Sequence, residues 1–114
     1  MLPESDVFRI RRWVSHKNSE IPGHVRNKIR YELDVDSRTA TILECRPPWD
    51  LESGPEWTRM PVARLRYTIK RAEWTLYYQD RNLKFHVYDR IAPSSFVGRL
   101  LDEVDADPTA IFWG

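Results

Sequence analysis

Lys28, Arg30, Arg64, Arg66, Lys70, Lys84 and His86 fall at alternate positions of polar-apolar runs, with Tyr77 and Tyr88 interleaved. Cationic side chains neutralise phosphates and aromatic faces stack on unpaired bases. These residues gathered on one sheet face would therefore form a platform for single-stranded nucleic acid. Glu32 and Asp34 are the carboxylates that would oppose that charge. Any solvated antiparallel face also carries long charged side chains, and a pI near 7.9 lies below the strongly basic range of many nucleic-acid-binding domains.

A second set of residues lies between Pro47 and Pro61, where Trp49 and Trp57 stand near Arg46 and Arg59. Trp and Arg dominate binding hot spots, and Pro47-Pro48 would stiffen the segment and lower the ordering cost of binding, so Arg46, Trp49, Trp57 and Arg59 form a candidate protein-interaction site. The competing role for both indoles is to fold back and cover one end of the core. A third pattern, Asp34 or Asp36 followed by Glu44-Cys45-Arg46, has a faint likeness to metal-dependent nucleases, whose carboxylates hold a divalent ion. Arg stands where such sites carry Lys and prolines follow it, so Glu44 and Arg46 fit better as structural partners of Arg64 or Arg66 and of an acidic group.

Other chemistry has less support. His16, His24 and His86 show no ligand spacing, and glycines 23, 54, 98 and 114 are scattered singly, so neither a metal site nor a phosphate-binding loop is implied. No catalytic residue and no cofactor is assigned. The lone Cys45 cannot form an internal disulfide, which agrees with a reducing compartment, and its ordinary role is a small strand residue.

The elements that must position these residues follow from hydrophobic period. Val7, Ile10 and Val14 recur along one helical face, with Trp13 beside them, in a segment that Ser5 can cap and that runs to about Asn18. Ile29, Tyr31, Leu33 and Val35 alternate with Lys28, Arg30, Glu32 and Asp34, the period of a half-buried strand. Asp36-Ser37-Arg38 turns into a second strand over 39–46, and after a loop to about Pro61 a third spans 62–70. Strands over 74–79 and 83–88 complete a meander. Pro93 and Ser94 open a closing helix along Phe96, Val97, Leu100, Leu101 and Val104, which Asp107-Pro108 stops. The fold class is α+β, an antiparallel meander of about five strands between an N-terminal and a C-terminal helix that pack on one sheet face.

The chain of 114 residues, 41% hydrophobic and 31% charged, fits one domain with one core, residues 1–114. No apolar run approaches the roughly 20 residues needed to cross a bilayer, and the N-terminal segment lacks the layout of a secretory signal, so a cytoplasmic protein is expected. The net charge of +1 conceals a basic N-terminal third and an acidic cluster at Asp102, Glu103, Asp105 and Asp107. Acidic side chains at the end of the last helix oppose its dipole, so a cationic neighbour, in the first instance the first helix, should lie alongside. Ile111, Phe112 and Trp113 predict a tail docked on the body.

Glu44-Cys45-Arg46-Pro47-Pro48-Trp49, Glu56-Trp57-Thr58-Arg59 and Pro61-Val62-Ala63-Arg64-Leu65-Arg66-Tyr67 also carry a family resemblance. With Trp74-Thr75-Leu76-Tyr77-Tyr78, the 86–89 stretch, Pro93, Asp107-Pro108-Thr109 and Phe112-Trp113-Gly114, they make the chain resemble the domain of unknown function numbered 3024. The resemblance implies a small bacterial protein and assigns no activity, substrate or partner. Residues and resemblance together point to a non-enzymatic cytoplasmic binding protein whose partner is single-stranded nucleic acid, or another protein met through the Trp-rich loop.

Overall fold

The computed structural model describes residues 1–48, 52 and 54–113. Helix α1 (Glu4–Ser19) buries Ile10 and Val14 along the predicted face, with acidic Glu4 and Asp6 in its first turn and basic His16 and Lys17 in its last, each complementing the helix dipole. Pro3, not Ser5, is its N-cap. The proline ring holds φ at −61°, and the Pro3 carbonyl accepts the Val7 N–H at 3.0 Å, which leaves Ser5 inside the first turn with no capping bond.

Strands β1 (Arg30–Val35), β2 (Thr39–Arg46), β3 (Thr58–Thr68), β4 (Glu73–Gln79) and β5 (Phe85–Val87) form one antiparallel sheet in sequence order. Strand β3 starts four residues earlier than alternation indicates, because its pairing with β2 shifts register between Ile42 and Leu43. A bulge of this kind puts two residues against one and breaks the strict period on which the expectation rested. Beyond it, Pro61 and Met60 pair opposite Leu43 and Glu44 as an ordinary strand.

Helix α2 (Val97–Ala106) begins three to four residues after Ser94 and Pro93, whose chain first pairs with β4: Trp74 and Ser94 exchange backbone hydrogen bonds of 2.8 and 2.9 Å. Ser94 Oγ then accepts the Phe96 N–H at 3.0 Å, so this serine organises the entry to the helix as expected, from just outside it. At the other end Asp107 takes the left-handed conformation, with φ 40°, and its carboxylate accepts the Phe112 and Trp113 N–H groups. That turn folds the tail back. Phe112 is buried against Tyr88, and Trp113 stacks on Trp13 while donating its indole N–H to the Val104 carbonyl.

Both helices lie on the face made by Leu33, Ala40, Ile42, Ala63, Leu65, Trp74 and Leu76, α1 against β1 and α2 against β4, and they pack on each other. The cationic neighbour of the acidic helix end is Lys17 of α1, which forms an ion pair with Asp105; the Trp13 indole N–H also donates to Asp105 at 3.0 Å. On the sheet edge, the Asn18 carboxamide accepts from the Tyr31 N–H and donates to its carbonyl, each at 2.8 Å, filling part of the hydrogen-bonding edge that β1 would otherwise expose. No helix among the described residues is long and apolar enough to cross a membrane.

Candidate functional site

Directly opposite residues of an antiparallel sheet share a face, so the register decides which side chains point away from the helices. Beginning from Leu65 and Leu76 on the helix side, the open face receives Arg30, Glu32 and Asp34 from β1, Thr41, Leu43 and Cys45 from β2, Arg59, Arg64 and Arg66 from β3, Thr75 and Tyr77 from β4, and Phe85 and Val87 from β5. The guanidinium of Arg64 lies 3.8 Å from the centre of the Phe85 ring, and its Nε donates to the Thr41 hydroxyl at 2.9 Å. Arg64 is thus pinned across the sheet from β2 to β5. Arg66 is exposed, and neither arginine forms an ion pair among the described residues.

A second arginine-aromatic stack occupies the β1 end of the same face. Arg30 sits 4.2 Å from the Trp57 ring centre, and Glu32 joins it to Arg59, with N–O separations of 2.8 Å to Arg30 and 3.4 Å to Arg59. Under this layer lie Leu43 and Cys45, both buried. Burial pushes the Cys45 thiol up, with the Glu32 charge adding to it, so the cysteine stays a neutral packing residue.

The structure brings Arg30, Arg64, Arg66 and Tyr77 of the expected platform onto one face and separates the remainder. Tyr88 belongs to the core: it is 3% exposed, packs on Phe112 and donates its hydroxyl to Glu103 at 2.7 Å. Burial and the Glu103 carboxylate both raise its phenol above the usual tyrosine range. His86 pairs opposite Tyr78 and stacks on that ring, which places it, and Lys84 two residues earlier, on the helix side of the sheet rim. Lys28 and Lys70 occupy turns beyond opposite ends of the sheet. Phe85 and Val87 stand where the lysine and histidine were expected. At this edge both faces meet solvent, so polarity does not report direction, and only counting pairs outward from Trp74 and Leu76 would have found Phe85.

The Trp-loop set divides in a similar way. Trp57 and Arg59 join the open face, Arg46 points to the other side and pairs with Glu44 at 3.4 Å, and Trp49 lies outside the described residues. Trp57 therefore covers neither end of the main core; it lies half-buried on Arg30. The register also puts Glu44 on the face opposite to Arg64 and Arg66, so the pairing expected between them does not form. Asp34 and Glu44 face opposite sides for the same reason, and among the described residues no cluster of His, Cys, Asp or Glu is arranged to hold a metal ion.

One further polar group organises the rim. Asp80 accepts from the Asn82 and Lys84 N–H groups at 2.8 and 3.0 Å and meets His86 Nε2 at 2.7 Å, closing the turn between β4 and β5. The Lys84 amide, then His86, hold its carboxyl below the usual carboxylate range. A lowered carboxyl stabilises the turn above that range and stops doing so as pH falls through its lowered value. In NMR spectra the Lys84 amide should stay protected at about pH 4 and lose protection on further acidification, and Asp80→Ala should remove protection at every pH; an amide unaffected by both changes would show that Asp80 does not hold the turn.

The fold and this face define an α+β protein with a helix-backed meander sheet and an open surface rich in arginine and aromatic side chains. The chain belongs to the family described as domain of unknown function DUF3024, whose model matches residues 2–114. Neither the curated proteins nor the solved structures contain a match to it.

Proposed function

We propose that the protein is a cytoplasmic bacterial binding protein that holds single-stranded nucleic acid on its open sheet face. The observation that carries this reading is the contiguity of Arg64, Arg66, Tyr77 and Phe85 across β3, β4 and β5, with the Arg30–Trp57 stack and Arg59 extending the same face toward β1. Flat rings supply stacking surface for any base, and guanidinium groups pair with phosphates while also stacking, so the arrangement suits a strand lying across the sheet without reading its sequence. In this scheme Arg64 leaves the Phe85 ring for a phosphate and a base takes its place.

Fluorescence anisotropy with labelled single-stranded RNA and DNA of about 10 nucleotides tests the reading. Saturable binding at low salt is expected, with Phe85→Ala weakening it by about 5- to 150-fold, the effect of losing one base-aromatic stack of roughly 1–3 kcal/mol. If neither oligonucleotide binds, or if Phe85→Ala binds as tightly as the wild type, the face has another role.

A further inference from the structure

Phe8, in the second turn of α1, is 63% exposed. A single exposed aromatic is ordinary on a protein surface. This one is placed otherwise, because it forms one wall of a groove of about 590 Å³ that runs between α1 and α2. Leu101 and the bare backbone of Gly98 line the groove on the α2 side, and Trp13 lines it with Phe8 from α1. Arg9 reaches over Gly98, with its Cδ 3.6 Å from where a β-carbon would stand.

The charge around this mixed groove is one-sided. Arg9, Arg12 and His16 contribute to its rim against a single carboxylate, Asp102. Arg12 is held 6.0 Å from the Phe8 ring centre, His16 meets only Glu20 of its own helix, and among the described residues neither Arg9 nor Arg12 forms an ion pair. Guanidinium groups beside a groove that also presents Phe8, Trp13 and Leu101 are complementary to a chain that brings an aliphatic side chain flanked by carboxylates. We infer that the groove between α1 and α2 docks an acidic segment of a partner protein, an aliphatic residue entering against Leu101, Trp13 and Phe8 while carboxylates meet Arg9 and Arg12. An amphipathic helix lying along two helices presents its anchors at the required spacing of three and four residues. A flat bilayer surface has nothing to insert into a slot. This surface lies on the helix side of the sheet, away from the face assigned to nucleic acid, so the two assignments stand or fall separately.

The test is selection of a displayed library of random peptides of about 16 residues, roughly four helical turns, on the immobilised full-length chain. Each enriched peptide is then measured against Phe8→Ser and Arg12→Glu variants. Both positions are exposed, so circular-dichroism melts of the variants should match the wild type. Enrichment of peptides combining Asp or Glu with Leu, Ile or Phe, and weakening by roughly tenfold or more in each variant, is the expected result. Enrichment without acidic bias, peptides that bind the variants as well as the wild type, or no enrichment would overturn the inference. Two controls can also overturn it: Phe8-dependent binding to phosphatidylserine vesicles in place of peptides would make the surface a lipid contact, and Phe8-dependent dimers in sedimentation would make it a contact between copies.

Discussion

Trp74→Ala should lower the melting temperature by roughly 15 °C or more, the consequence of losing about 3–5 kcal/mol from a domain whose whole stability is of order 5–15 kcal/mol. Trp74 is 0% exposed and sits where several elements meet. Its ring packs on Tyr67 at 5.1 Å, its backbone pairs with Ser94 on the strand edge that leads to α2, and its indole N–H donates to Asp6 of α1 at 2.8 Å. Truncation therefore opens a cavity and also leaves a partly buried carboxylate without its donor.

Trp74→Phe separates those effects. The phenyl ring keeps most of the volume and loses the donor, so a cost of about 1–3 kcal/mol is expected, and Asp6→Ala should then cost less in the Trp74→Phe background than in the wild type. Additive costs would show that the indole-carboxylate bond does not couple α1 to the sheet. Chemical denaturation of the four proteins in the cycle supplies the comparison.

The same residue marks how far periodicity carries. Alternation identifies β1 and β3 from Val62 onward because one side of each faces the core, and a residue misplaced there would put charge in it, whereas β2, buried on both sides, is marked by its β-branched residues and β4 by the turns that bound it. It also identifies the apolar face of α1 and the run from Val97 to Val104. It loses β3 before Val62, where the bulge changes the phase, and it loses the connection from Pro93 to Val97, where Ser94 completes a strand pair before the helix begins. Neither feature has a local composition of its own, since both are defined by a partner strand distant in sequence.

The site was legible to the same extent as its strands. Arg30, Arg64, Arg66 and Tyr77 lie on strands with one buried side, and their direction follows from it. Lys84, His86 and Tyr88 lie on a three-residue edge strand and just beyond its ends, where the ordinary preference of charged groups for solvent pointed the wrong way. Tyr88 leaves the strand to become a core residue whose hydroxyl needs Glu103. The stacking of Arg30 on Trp57 and of Arg64 on Phe85 joins residues from separate strands and a loop. No spacing rule reaches that kind of contact.

Replacing both exposed-face arginines of β3, as Arg64→Gln/Arg66→Gln, should weaken single-strand binding by about 25-fold at about 0.1 M salt, because each phosphate contact on a single strand contributes roughly 0.7 to the logarithmic salt slope. The same arithmetic reduces the loss to about fivefold at about 0.3 M salt, so the shrinking ratio is itself the signature of phosphate contacts. Phe85→Ala differs here: stacking releases no counterions, and its penalty should stay nearly constant across the same range. Arg66 is exposed and Arg64 gives up one hydrogen bond to Thr41 and its stack on Phe85, so the double variant should lose about 1–2 kcal/mol of stability and remain folded for the measurement. A salt-independent loss would mean that the arginines act by holding Phe85 and Thr41 in place, with phosphate playing no part. A variant that binds like the wild type at every salt concentration would remove β3 from the site and, with it, the reason for assigning nucleic acid to this face.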